Sequence, residues 1–324
     1  MSLSIIIPTF DAEPTLGECL PALVRQLPPG GEIIVVDDGS TDRTRELVAH
    51  YPVRLVTQPR HGPAAARNLG AREAKGEWLL FTDADCVPAP DWITEITRPL
   101  ADENVSGVKG AYRTTQRAWT ARFVQAEYEA KYDLMRTHER IDFVDTYSAA
   151  YRRDMFLANE GFDEGFPRAS GEDIDFSYRL AQRGYRLVFA PHALVYHQHP
   201  ARLSEYIGRK FHVGYWRVRM YEKHPGKMIA DSHTPQSLKL QMALGLLLAV
   251  SLGVSALDRR ALFSVLASML FFLLTTVPFV RATLRRDALI ALLAPFFLFV
   301  RALALDAGFM GGLLKEGGRK IGRG

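Results

Sequence analysis

Two apolar runs near the C-terminus constrain this chain more than any other feature. Residues 240–257 (LQMALGLLLAVSLGVSAL) and 261–280 (ALFSVLASMLFFLLTTVPFV) are each about as long as a bilayer-crossing helix, and only Asp258, Arg259 and Arg260 separate them. Both are apolar on every face, unlike a soluble helix that keeps one side wet. The expectation is a transmembrane hairpin. A third stretch, 288–314, is also rich in Leu, Ala and Phe but contains Pro295, Arg301 and Asp306, so it either spans or lies along the interface.

Positive charge flanks these runs unevenly. The stretch 201–239 carries Arg202, Arg209, Lys210, Arg217, Arg219, Lys223, Lys227 and Lys239, the 258–260 loop carries two arginines, and 281–287 carries Arg281, Arg285 and Arg286. Basic flanks favour the cytoplasm, which places the first and third of these there. Lys315, Arg319, Lys320 and Arg323 in the tail prefer the same side, and three full spans would put them opposite; the bias therefore favours an interfacial or re-entrant third segment. The opening MSLSIIIPTF lacks the basic start and long apolar core of a signal peptide, so the part before the membrane is expected in the cytoplasm, on the inner (plasma) membrane. Its two cysteines, Cys19 and Cys86, have neither metal-ligand spacing nor the density of a disulfide framework. A net charge of +4 permits acidic partners such as phosphates or anionic lipids, and nothing in the chain points to nucleic acid.

Upstream of about 235 the pattern changes to short β-branched runs separated by amphipathic stretches. LSIIIPTF (3–10) and EIIVVDDGS (32–40) flank PTLGECLPALVRQL, a βαβ unit; TDRTRELVAHY reads as a helix capped at Ser40 or Thr41, VRLVTQ (53–58) as a strand, AAARNLGAREA (64–74) as a helix and WLLFTDAD (78–85) as a strand. Such alternation predicts an α/β, mostly parallel sheet whose ligands sit at the carboxyl ends of its strands. Three acidic groups fall at those ends: Asp11 with Glu13, Asp37 with Asp38, and Asp83 with Asp85.

The pair in TDADCVP is the most telling. Two carboxylates one residue apart repel each other unless a cation lies between them, and hard oxygen ligands suit Mg2+ or Mn2+. A phosphorelay receiver would begin with the double-aspartate strand, whereas a βα unit precedes it here; an aspartate phosphatase would carry Thr where Val87 stands.

An ordered set of motifs then narrows the choice: IIIPTFDAEPTL (5–16), IIVVDDGSTDRT (33–44), HGPAAARNLGAREAKGEWLLFTDAD (61–85), YRRDMFLANEGFDEGF (151–166) and GEDIDFSYRLAQRGYRL (171–187). Together they resemble the family 2 glycosyltransferases of the GT-A fold, over roughly residues 1–200. The resemblance implies a UDP-, GDP- or dTDP-sugar donor and an inverting transfer. It places Pro8, Thr9, Asp11, Glu13 and Asp38 around base and ribose, Arg67 near the diphosphate or acidic pair, Asp83 on ribose or metal, and Asp85 on the metal. It also implies Asp173 as catalytic base with Glu172 beside it, and His197 of VYHQHP closing the metal or diphosphate site. Asp37, Asn68, Asp175 and Arg179 are read as structural, Asp37 orienting its turn or capping the next helix and Asn68 holding its local turn.

The domain reading is a catalytic domain over 1–200, interfacial amphipathic helices over 201–239, a membrane segment over 240–314 and a basic tail over 315–324. Residues 201–227 interleave Arg and Lys with Phe211, Tyr215, Trp216 and Tyr221, which suits a helix lying at the headgroups. A lipid-linked or glycolipid acceptor at the membrane face follows. The Gln-x-x-Arg-Trp motif of processive synthases is missing, which favours transfer of a single sugar. The competing expectation is a silent relative that binds nucleotide-sugar or lipid and acts as an assembly or sensing partner; the acidic residues Asp83, Asp85 and Asp173 argue against it.

Overall fold

A computed structural model describes residues 2–166, 171–229 and 231–321, with side chains described to Lys315. The chain divides into two compact units, one formed by Met1–Thr115 with Met135–Gln198, the other by Gln116–Leu134 with His199–Gly324.

The first unit follows the predicted rhythm. Its elements run β1 (Leu3–Thr9), α1 (Glu13–Val24), β2 (Glu32–Asp37), α2 (Thr44–Val48), β3 (Arg54–Thr57), α3 (Pro63–Glu73), β4 (Trp78–Phe81), β5 (Cys86–Pro88), α4 (Trp92–Thr97) and β6 (Val105–Arg113). Helix α5 (Trp119–Met135) then intervenes and belongs almost wholly to the second unit; β7 (Ala149–Arg152), α6 (Arg153–Ala158), α7 (Glu172–Gln182) and β8 (Arg186–His197) complete the first.

The strands form one sheet in the order β3-β2-β1-β4-β7-β6-β8-β5. β3, β2, β1 and β4 are parallel, β7 runs antiparallel to β4 and β6, β6 and β8 are parallel, and β5 is antiparallel to β8. Ile5, Ile6 and Ile7 of β1 are fully buried, as a strand covered by helices on both faces requires. Helix α3 lies close against β1: a Cβ on Gly70 would come within 2.5 Å of Ile6 Cγ2, so no larger residue fits there unless the chain shifts.

Two boundaries differ from the sequence reading. The helix expected from Ser40 or Thr41 begins at Thr44, because Thr41 and Asp42 are held in a turn by Asp11. The strand expected over 78–85 stops at Phe81, and Thr82–Asp85 turn the chain into β5. Helix α7 is preceded by Gly171 at φ 122°, a left-handed conformation that suits glycine.

In the second unit α8 (Leu203–Lys223), α9 (Gln236–Ser255), α10 (Ala261–Leu284) and α11 (Ala288–Ile321) join α5. Helices α9, α10 and the Ala288–Lys315 part of α11 are long and apolar enough to cross a membrane. The first starts four residues earlier than its apolar run, at Gln236, and the third continues past Leu314 as one helix with Pro295 inside it. Half of the apolar window of α11 is buried within the protein, against 22% for α9 and 17% for α10. Its cover includes Phe123, Val124 and Tyr206, which share a core cluster with Ile290, Ala294, Phe297, Leu298 and Ala302. Helices α8 and α11 meet backbone to backbone, where a Cβ on Gly214 would strike the Leu305 carbonyl and one on Gly308 the Phe211 carbonyl.

Candidate active site

The residues singled out at the first two strand ends are tied to one another by the loops that follow. Parallel pairing sets Thr9 beside Asp37, the Asp38 N–H donates to the Thr9 carbonyl at 2.8 Å, and Thr9 Oγ1 donates to the Val36 carbonyl. Asp11 adopts φ 46°, a left-handed conformation that Asp tolerates, and from there its Oδ1 accepts the Thr41 N–H at 2.7 Å. Glu13 pairs with the exposed Arg43 at 2.5 Å. Pro8 is the half-buried penultimate residue of β1. Asp37 is fully buried, accepts the Ser40 N–H and binds Arg45, which is the turn-holding role expected of it.

Asp38 is more heavily engaged than its sequence reading implied. Its Oδ1 accepts from Gln58 Nε2 (2.7 Å) and the His61 N–H (2.8 Å), and its Oδ2 from the Gly62 N–H (2.8 Å). Three protein donors anchor the loop that launches α3, leaving about one of the roughly four acceptor positions of a carboxylate for any further donor.

The centre of the site is Arg67 on α3. The residue is 4% exposed, its Nη2 donates to Asp83 Oδ1 at 2.6 Å, and its Nη1 donates to Glu172 Oε1 at 3.1 Å. Burial by itself would disfavour its charge, but Asp83 and Glu172 outweigh that and hold the guanidinium firmly protonated. One buried cation thus joins the acidic turn after β4 to the first turn of α7. Glu172 is itself 2% exposed.

Asp173 follows on the same turn. Its Oδ1 accepts the Ile174 N–H at 2.8 Å and its Oδ2 the Thr146 N–H at 3.3 Å. Burial first, and the neighbouring Glu172 second, raise this carboxyl to about 7, with Arg67 opposing. A carboxylate with that affinity for protons can accept one near neutral pH. Asp175 and Arg179 pair with each other, and Arg179 also donates to the Asn159 and Gly161 carbonyls, so both hold the fold. Asn68 was expected to hold its own turn; it instead secures the distant 161–164 turn through Phe162 and Glu164, with Gly161 at φ 60° beside its Oδ1.

Asp85 and His197 meet because β5 and β8 pair in a register that sets Cys86 opposite His197. His197 Nδ1 lies 3.9 Å from Asp85 Oδ2, and Tyr112 packs on the imidazole with ring centroids 4.8 Å apart. Burial and then Asp83 push the Asp85 carboxyl upward, while His197 pulls the other way. A dication placed there would favour the charged form of both carboxylates. Asp85, Cys86 and His197 place ligand atoms within 4.8 Å of one another, an association the sequence spacing of the cysteines did not reveal. Burial pushes the Cys86 thiol well above its ordinary range, and a neutral thiol is a poor partner for a hard cation. Carboxylate and imidazole fit Mg2+ or Mn2+; Asp83, committed to Arg67 through one oxygen, has the other to offer.

Two contributors carried no signal of their own in the sequence. The Thr146 N–H reaches Asp173 from a turn that precedes β7. Lys109, buried in β6, ion-pairs with Asp145 on that turn and donates to Tyr147 Oη at 2.7 Å. The one hint was a lysine inside the otherwise apolar strand GVKGAY.

Residues 4–158 match the family model described as Glycosyl transferase family 2. A pre-mycofactocin glycosyltransferase of Mycobacterium tuberculosis is 31% identical over 211 residues, covering 61% of this chain and 44% of that protein. Glycosyltransferase AglE of Haloferax volcanii is 28% identical over 233 residues, covering 68% of this chain and 74% of its own length. The chain therefore spans less than half of the mycobacterial relative. Among solved structures, the mannosyltransferase PcManGT from Pyrobaculum calidifontis, in complex with GDP-Man and Mn2+, superposes with a TM-score of 0.62 over 96% of this chain and 86% of that one. At 23% identity the likeness is one of fold.

Proposed function

Because the chain carries a family 2 glycosyl transferase domain on a GT-A sheet, followed by three membrane-length helices, we propose that it is a membrane-anchored inverting glycosyltransferase. It moves one sugar from a nucleotide-sugar to a lipid-linked or glycolipid acceptor at the cytoplasmic face of the inner membrane. The observation that carries this reading is the buried Arg67 bridge between Asp83 and Glu172, with Asp173 next to it.

The chemistry follows from that bridge. The acceptor hydroxyl oxygen bonds to the anomeric carbon from the face opposite the leaving group, its proton passes to an Asp173 carboxylate oxygen, and the bond from the anomeric carbon to the phosphate oxygen breaks. The nucleoside diphosphate leaves with that electron pair. Arg67 supplies fixed positive charge close to the Asp83 side of the site, and Glu172 keeps the guanidinium in place from the other side. Asp85 and His197, with the free oxygen of Asp83, would hold Mg2+ or Mn2+, which supplies charge stabilisation for the departing diphosphate. Thr9, Asp11 and Asp38 would border the nucleoside. A relative's Mn2+ and GDP-Man support this assignment without naming the donor of this chain.

Calorimetry on the full chain in detergent tests the reading. UDP, GDP and dTDP are titrated with Mn2+ and with EDTA, against wild type and Asp85→Ala. One nucleotide should bind in a metal-dependent way that Asp85→Ala abolishes. A folded protein that binds none of the three under either condition overturns the transferase reading.

A further inference from the structure

The second unit contains a group of cations that the transferase chemistry does not use. A buried carboxylate among them, Glu127 of α5, accepts from Lys210 Nζ (3.1 Å), Arg301 Nη1 (3.1 Å) and the Tyr206 hydroxyl (3.2 Å). Arg301 donates its other amino group to Gln241 at 2.6 Å. One carboxylate is thereby saturated by two cations and a hydroxyl.

Two more cations face the same cluster. Lys131 stands four residues after Glu127 on α5, one turn further along the same side, and Arg217 stands seven residues after Lys210 on α8. Both are half-buried, and among the described residues neither has a carboxylate within ion-pair distance. Burial and then Lys210 depress the Lys131 ammonium to about 7; Glu127 opposes this, and Arg217 and Arg301 add to it. The buried His233 imidazole nearby is repelled by Lys131 and Arg217 together, and its own acid, Asp231, is committed to it at 3.0 Å. Four cations against the carboxylates of Glu127 and Asp231, both already engaged, leave surplus positive charge in a poorly solvated place, a costly state unless an anion joins it.

We propose that Lys131, Lys210 and Arg217 form a binding site for the phosphate group of an anionic lipid. A phosphate offers several strong acceptors to ammonium and guanidinium donors on two helices at once. The lipid source is favoured over free phosphate because α8 belongs to a unit with three membrane-length helices, and juxtamembrane cations meet lipid phosphates at that level. The inference concerns the second unit alone and stands whether or not the transferase reading does.

The test uses the full chain in dodecyl maltoside micelles. Dioleoyl phosphatidate, dioleoyl phosphatidylcholine and inorganic phosphate are titrated separately, with the fluorescence of Trp216, the sequence neighbour of Arg217, among the tryptophans reporting. Phosphatidate should give a saturable change that phosphatidylcholine does not. Lys131→Met and Arg217→Gln should each weaken it about tenfold, the effect of losing one charge-assisted contact, while Arg209→Gln, on the exposed side of α8, leaves it unchanged. Equal weakening by Arg209→Gln, or wild-type affinity in both site variants, overturns the proposal. Saturation by inorganic phosphate at the same concentrations as phosphatidate overturns the lipid assignment. A second readout on wild type covers misfolding of the variants: phosphatidate should protect Lys131 from acylation by an amine-directed ester, and undiminished labelling counts against the site.

Discussion

Removing Arg67 perturbs the site at its tightest point. In Arg67→Met the Glu172 carboxylate, 2% exposed, loses its partner and stands beside Asp173 with no compensating charge. Breaking a buried pair from one side costs about 3–5 kcal/mol. The Asp83 half adds little, because that side chain is 29% exposed and water screens it. The deficit depends on pH, and its sign follows from the direction of the shifts. A carboxyl whose folded affinity for protons is raised contributes stability below its unfolded value, near 4, and loses it as pH climbs through the folded value. Asp173 is already raised to about 7 by burial and Glu172, and without Arg67, which opposes that shift, it moves further up. The variant should therefore fall further behind wild type between pH 5 and 8, by up to about 1.4 kcal/mol per pH unit for each extra proton bound. Thermal unfolding in detergent reads this as a drop of roughly 6–20 °C at pH 8 and a smaller one at pH 5. A drop of the same size at both pH values, or a larger one at pH 5, would refute the claim that Arg67 neutralises these carboxylates.

Other expectations are simpler to check. Asp173→Asn should lower sugar transfer by about 10²–10⁴-fold while nucleotide binding measured by calorimetry is kept. The wild-type rate should rise with pH through about 7 and level off above it, since Asp173 must be deprotonated to accept the acceptor's proton, and a rate that falls across that interval would remove Asp173 from the role. Asp38→Asn should free the 58–62 loop and destabilise the protein by about 1.5–3 kcal/mol, visible as faster amide exchange at His61 and Gly62. Gly308→Ala should drive a methyl against the Phe211 carbonyl, forcing α8 and α11 apart and lowering the melting temperature of the intact protein by an amount equivalent to about 1–3 kcal/mol; an unchanged melt would show that the contact has slack.

The parts legible in the sequence are those a strand or helix writes along itself. β-branched runs ending in acids located the carboxyl edge of β1, β2 and β4, and unbroken apolar stretches located α9 and α10. Contacts between elements left no such trace. Asp85 meets His197 only because β5, three residues long, pairs antiparallel with the end of β8 at the edge of the sheet, and a three-residue strand has no periodicity to read. Asp38 looked free because its donors, Gln58, His61 and Gly62, arrive from the far end of β3 and the loop after it. Helix α5 looked like part of the catalytic domain because it sits between β6 and β7 in the chain, yet its contacts lie in the second unit.

The same distinction accounts for the ambiguous third apolar segment. Arg301 within α11 reads as a defect in a membrane span, since a cation in hydrocarbon is expensive and usually finds a partner. Its partner is Glu127, 174 residues earlier, with Gln241 of α9 satisfying the second amino group. At the N-terminal end of α11, Asp287 forms a two-bond pair with Arg122 of α5. Arg301 and Asp287 are thus both paired with α5, and the small residues Gly308 and Gly312 bring α8 into backbone contact with α11. A helix that turns its arginine and these two glycines toward other helices needs lipid on only part of its surface, which is why half of its apolar window is covered where α9 and α10 are largely bare. Arg301, the cation that spoils α11 as a simple span, is therefore what fastens it to α5.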